Sequence, residues 1–184
     1  LAAWRKLAPL LETLRRPPAP RLGLFFGLLP NLDPEFAQRA LRGLLRRGDA
    51  LLLSANLLPE RDPRAVRRIL AQYDNPETRD WLMILVRDIG LPTEARCLRF
   101  AIRPCPGWPG ARRIEAVYRF PCAVEIHAAG RCWRFRKGER WLLFFSNRPT
   151  LRQLEKFLAG IGLHDFQRWT DIAGVEAVAA CFFT

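Results

Sequence analysis

The sequence predicts an α/β protein: a parallel strand–helix–strand unit, an antiparallel β insertion, and a closing antiparallel hairpin. Three observations carry that expectation. Leu22-Gly-Leu-Phe-Phe and Ala50-Leu-Leu-Leu-Ser-Ala are apolar without alternation, as strands buried on both faces of a parallel sheet are. Between them, Asp33-Pro-Glu opens a helix, so strand, helix and strand follow in the order of a right-handed crossover unit. From Cys97 to Ser146 the pattern turns to short runs separated by turn signals, which is how antiparallel strands read.

Each element has its own local reason. Leu1–Arg16 places Trp4, Leu7, Leu10, Leu11 and Leu14 at helical spacing and stops at Arg-Arg-Pro-Pro-Ala-Pro. The first strand follows. Asp33 is then an N-cap, Pro34 sits in the first helical position, and Glu35 places an acid in the first turn. Phe36, Ala40, Leu41, Leu44 and Leu45 form the apolar stripe of that helix, which ends at Gly48-Asp49 before the second strand. Asp62-Pro-Arg caps a further helix with Val66, Ile69 and Leu70, ending at Tyr73-Asp74-Asn75-Pro76, and Glu77–Ile89 fits another. Strands are expected at Leu98–Ile102, Arg113–Phe120, Ala123–Ala128, Arg131–Phe135 and Arg140–Phe145. Thr150 caps a helix through Leu151, Leu154, Phe157 and Leu158. Leu163–Thr170 and Val175–Phe183 form the terminal hairpin around Asp171-Ile-Ala-Gly174.

Composition bounds the function. With 184 residues and 49% hydrophobic residues, the chain can bury a sizeable core and is not of the disordered class. No apolar run approaches the roughly 18 residues that span a bilayer, and no secretory signal opens the chain, so a cytoplasmic protein without membrane contact is expected. The net charge of +12 is nearly all Arg, with Lys only at Lys6, Lys137 and Lys156. Those cations are spread along the chain rather than clustered, which argues against a nucleic-acid footprint. Cys97, Cys105, Cys122, Cys132 and Cys181 include no C-x-x-C pair, and no His lies at ligand spacing, so no zinc site is expected. Cys97, Cys122, Cys132 and Cys181 read as small core residues, and His127 and His164 as surface or strand-end residues. In the insertion Trp108, Trp133 and Trp141 interleave with arginines, and alternation would point the rings inward and the guanidinium groups outward.

Parallel strands closed by an antiparallel hairpin resemble the ending of a class I S-adenosylmethionine-dependent methyltransferase. A run of segments narrows this. Phe25-Phe-Gly-Leu-Leu-Pro-Asn31-Leu-Asp-Pro-Glu35, then Arg47-Gly-Asp-Ala, Tyr73-Asp74, Arg87-Asp-Ile-Gly90, Arg113-Ile-Glu115, Ser146-Asn-Arg148, Gly162-Leu163 and Trp169-Thr-Asp171 follow one another in order. In that order they resemble the C-terminal part of the histidine-specific, ergothioneine-type methyltransferase family. The family's glycine-rich cofactor loop and the acid that grips the ribose lie upstream of this region, so the chain reads as part of a longer product. Alone, it is expected to bind S-adenosylmethionine poorly.

The resemblance implies roles for particular residues. Asn31 would grip the amino-acid head of the substrate, Tyr73 its carboxylate, and Ser146 its side chain, with Phe26 and Gly27 beside the cofactor. No residue is assigned as a catalytic acid or base, because methyl transfer to an amine rests on positioning and electrostatics. The pattern departs from the family at Phe144, where a Glu would accept a hydrogen bond from imidazole, and at Ala116, where Met is usual. An amino acid or related amine other than histidine is therefore the expected substrate. Residues 1-75 would form the parallel part of the core, 76-148 a substrate-domain insertion, and 149-184 the remainder of the core. The alternative is a degenerate methyltransferase-like module that binds a protein or nucleic acid.

Overall fold

The computed structural model describes residues 19–59, 64–128 and 130–184. The helix expected over Leu1–Arg16 and the Asp62 cap lie outside the described residues. Nine strands and four helices follow in the described chain: β1 (Leu22–Phe25), α1 (Pro34–Leu44), β2 (Ala50–Asn56), α2 (Ala65–Tyr73) and α3 (Pro76–Asp88). Then come β3 (Leu98–Pro104), β4 (Arg112–Arg119), β5 (Val124–Ala128), β6 (Arg131–Phe135), β7 (Arg140–Arg148), α4 (Leu151–Ala159), β8 (Leu163–Thr170) and β9 (Glu176–Phe183).

The core sheet has the order β1-β2-β9-β8. β1 and β2 are parallel, with Phe25 beside Leu53, while β9 runs antiparallel to both β2 and β8. The expected crossover is present. Its helix α1 starts where Asp33 Oδ1 accepts from the Phe36 amide at 3.1 Å, and Pro34 occupies the first turn, where no amide partner is needed. α1 turns Ala37 and Leu41 onto the sheet, and α4 adds Leu154, Phe157 and Leu158. α4 begins in a capping box, Thr150 and Gln153 each bonding the other's backbone. Leu51, Leu53, Ala55, Ala177, Ala179 and Cys181 receive these helices, and all are buried.

Asp49 fastens this layer. Its buried carboxylate accepts from the backbone amides of Arg21 at 2.9 Å and Arg46 at 2.8 Å, and it is paired with the Arg21 guanidinium. The guanidinium bond, helped by the two amides, holds the carboxyl down at about 2 against the opposing effect of burial. The Asp49 carbonyl also accepts from the Phe183 amide at 2.8 Å, so one residue joins the starts of β1 and β2 to the end of β9.

One expectation about this sheet needs correction: among the described residues β1 ends the strand order and is not buried on both faces, Leu22 and Leu24 being 64% and 62% exposed. The apolar run without alternation encodes two apolar faces, but among the described residues only one of them has a partner layer.

The insertion is not one continuous antiparallel sheet. β3-β4-β7 forms one sheet and β5-β6 a separate hairpin. α3, capped by Asn75 accepting from the Thr78 amide at 2.8 Å, lays Leu82, Met83 and Val86 against Leu98, Ala116, Tyr118 and Phe120. β7 continues three residues past its expected end, so Ser146 lies within a strand. Cys122 and Cys132 are exposed, contrary to their reading as core residues: Cys122 lies in the bend before β5, and Cys132 on the hairpin face opposite Ile126 and Phe135, which pack on the core. Trp133 is half exposed although it shares the hairpin face of Ile126 and Phe135, whereas Trp108 is buried against Phe157. Arg113 departs in the other direction, buried within β4 rather than turned outward.

Candidate substrate site

Ligands of open α/β sheets bind beyond the carboxyl ends of the parallel strands. Here that edge lies after Phe25 on β1 and at Asn56 on β2. β1 leaves the sheet through Phe26, half exposed, and Gly27, whose φ of 67° suits glycine. The Gly27 amide donates to Ser54 Oγ of β2 at 2.9 Å, and the Asn31 side-chain amide donates to the Gly27 carbonyl at 3.1 Å. A short 3₁₀ turn, Leu29–Asn31, packs against β2 and β7. Asn147 pins it by donating to the Leu32 carbonyl at 2.7 Å.

At the end of β2 four polar side chains converge. Tyr73 closes α2, Ser146 and Arg148 lie on β7, and Asn56 ends β2. The Tyr73 hydroxyl is 3.2 Å from Ser146 Oγ and accepts from Arg148 Nη2 at 2.7 Å. Since Arg148 can only donate, the Tyr73 proton is directed at Ser146. Asn56 Nδ2 donates toward both hydroxyl oxygens, at 3.5 and 3.4 Å. Phe144 stands beside them with its ring centroid 5.6 Å from that of Tyr73.

The cluster is rich in donors. Arg148 also donates to the carbonyls of Leu57 and Val175, at 3.2 and 3.4 Å, yet its Nε is buried with no partner. Arg113, on the neighbouring strand, donates to Asn147 Oδ1 at 2.7 Å and stacks on Phe145, and its Nη2 is likewise buried and unbonded. Among the described residues, neither guanidinium has a carboxylate partner. The two guanidinium groups lie on opposite faces of the sheet, so Arg148 alone makes the Tyr73 side electropositive, and each orphaned N–H costs about 1–3 kcal/mol.

Tyr73, Phe144 and Ser146 are thus brought together. Asn31, Phe26 and Gly27 stand along the same sheet edge, joined to β7 through the 3₁₀ turn but with no hydrogen bond to the cluster. Asn56 and Arg148 are members that the sequence reading did not single out. Both had a signal: Asn56 is a polar residue at the end of an apolar parallel strand, and Arg148 belongs to the Ser146-Asn-Arg148 segment.

The family model for histidine-specific, SAM-dependent methyltransferases matches residues 4–181. The chain belongs to this methyltransferase family. The order β1-β2-β9-β8, with the last strand between its hairpin partner and the parallel pair, is the class I ending expected for the family. No match is found among curated proteins. Among solved structures, the chain is similar to the glycopeptide N-methyltransferase MtfA complexed with S-adenosyl-L-homocysteine, at 14% identity and a TM-score of 0.37, covering 89% of this chain and 54% of that one. The CcbJ methyltransferase from Streptomyces caelestis follows at 14% identity and 0.36, covering 89% and 59%. DesVI of Streptomyces venezuelae has 9% identity and 0.35, covering 93% and 63%. The chain therefore spans between half and two thirds of the length of these proteins. No described helix is long and apolar enough to cross a membrane.

Proposed function

We propose that this chain is the substrate-holding part of an S-adenosylmethionine-dependent N-methyltransferase whose acceptor is the amine of an amino acid or related small molecule, other than histidine. The donor-rich cluster of Asn56, Tyr73, Ser146 and Arg148 carries the reading. A ligand that brings acceptor oxygens, above all a carboxylate, supplies what the uncompensated Arg148 lacks. Residues 76–148 act as the substrate insertion, lending β7 to a core formed by 1–75 and 149–184.

When bound, the cofactor supplies an electrophilic methyl group on a sulfonium. Phe26 and Gly27 suit one wall of its site: the ring is half exposed, and a side chain built on Gly27 would meet no atom within 4 Å, so a ligand can approach the backbone. The rest falls to positioning. On substrate binding the Tyr73 O–H would turn from Ser146 to the carboxylate and Asn56 would add an N–H, while Arg148 holds Tyr73 in place and Asn31 has an amide at the same edge for the amino-acid head. The amine must be neutral to attack, and the proton it sheds after methylation passes to solvent.

Phe144 sets the far wall. A ring N–H placed against it finds no acceptor and loses a hydrogen bond of about 1–3 kcal/mol, a factor of roughly 5 to 150 in occupancy. The test is a labelled-cofactor assay of the full-length gene product against histidine and a panel of amino acids. The expected result is turnover of a non-histidine acceptor, a fall of at least about tenfold in kcat/KM for Tyr73→Phe, and a gain on histidine for Phe144→Glu. Robust methylation of histidine by the unaltered enzyme would overturn the pocket argument. A product that binds neither S-adenosylmethionine nor S-adenosylhomocysteine by calorimetry would overturn the activity.

A further inference from the structure

We propose that the β5–β6 hairpin carries a transition-metal site of the zinc class, built from Glu125, His127 and Cys132. Antiparallel pairing sets His127 opposite Cys132 and Glu125 opposite Arg134. The two-residue period of a strand then puts all four on one face. One donor atom from each of Glu125, His127 and Cys132 lies within 4.8 Å of the others.

The arrangement has a direction. Glu125 Oε2 is 3.9 Å from His127 Nε2 and 3.9 Å from Cys132 Sγ. Arg134 Nε donates to the other carboxylate oxygen, Oε1, at 2.6 Å. The arginine therefore fixes the carboxylate and leaves Oε2 turned toward the imidazole and the thiol, the part that outer-shell donors play at metal sites. Zinc takes these three donor types at about 2.0–2.3 Å, which in a tetrahedron separates donor atoms by roughly 3.3–3.8 Å. Small side-chain adjustments close the set.

Imidazole with thiolate selects zinc-like ions over magnesium or calcium, which prefer oxygen alone. On binding, the thiol proton leaves to solvent, a metal–sulfur bond forms, and no oxidation state changes. Three protein ligands leave a fourth position for water or an external donor. All three side chains are exposed, so an ion reaches them without unfolding the hairpin. The spacing argument that excluded zinc looked along the chain, and His127 and Cys132 meet only across strands.

The test titrates the full chain with zinc against a chromophoric chelator, and with cobalt as a spectroscopic stand-in. One zinc per chain is expected, along with a thiolate-to-cobalt charge-transfer band. Cys132→Ser should abolish that band and weaken zinc at least about a hundredfold. His127→Ala and Glu125→Gln should each weaken it about ten- to a hundredfold, and Arg134→Ala about tenfold. Cys122→Ser, at the other exposed cysteine, should change nothing. Circular dichroism of each variant checks that the fold is kept. Absence of zinc binding, loss of binding in Cys122→Ser, or unchanged affinity in any one of the three ligand variants would overturn the site.

Discussion

The two faces of the core sheet are written in similar residues and end in opposite environments. Toward α1 and α4, Leu51, Leu53, Ala177, Ala179 and Cys181 are buried almost completely. On the reverse face, reading across the register from β1 to β9, Leu22 pairs with Ala50 and Phe182, and Leu24 with Leu52 and Ala180. Leu22, Leu24 and Phe182 are 64%, 62% and 46% exposed, with Trp169 of β8 at 55%. Hydrophobicity alone therefore does not locate a core. A strand states which faces are apolar, and a second layer decides which of them leaves water.

The largest expected effect tests the covered face. Leu53→Ala removes a fully buried side chain under α1 and α4 and should cost about 2–5 kcal/mol in denaturant unfolding. If Leu24→Ala, on the same sheet's other face, cost as much, the contrast between the faces would fail.

The next effect is acid sensitivity at the edge of the covered layer. The Asp49 carboxyl lies at about 2 in the folded chain against 3.8 as a free side chain. A depressed acid stabilises fully above its unfolded value, so about 2 kcal/mol should be present near neutral pH. That contribution should fade as pH drops from about 4 to 2. Asp49→Asn should flatten this part of the stability–pH curve, and an unchanged curve would remove Asp49 from its clamping role.

The smallest effect on stability, with the most visible effect on behaviour, belongs to the open face. Leu22→Ser with Leu24→Ser should shift unfolding by less than about 0.5 kcal/mol per site. The pair should lower binding of a hydrophobic dye and self-association in sedimentation, since exposed apolar patches and free strand edges drive both. A large loss of stability would show that the face is covered in solution.

How much of this was legible in the sequence follows the same division. Local codes were readable: the Asp33-Pro34 cap, the Thr150 cap, the hairpin around Asp171, and the parallel pair β1–β2 all stand where residue chemistry put them. What depends on a neighbouring layer was not, and so Leu22 and Leu24 of β1 were read as buried on a two-faced strand and Cys122 and Cys132 as core residues, whereas all four are exposed among the described residues. At the candidate site, Tyr73 and Ser146 were singled out by an ordered resemblance to a family and Phe144 as a departure from it, and the three lie side by side in the fold. Asn56 was passed over because its partners Tyr73 and Ser146 lie 17 and 90 positions away. No local pattern announces such a meeting.

The place of β9 has a consequence for how the chain is made. The strand Glu176–Phe183 lies between β2 and β8, and its last amide bonds to Asp49. Until Phe183 has cleared the ribosome, β2 has a vacant edge on the side where β9 will sit, and the Arg21–Asp49 clamp lacks one of its anchors. The parallel pair and its helix can gather early, but the sheet can close only late, by a contact spanning more than a hundred residues. Chains of this topology fold slowly and expose strand edges while they wait, so synthesis rate and chaperone supply should govern the yield of this protein more than its final stability does.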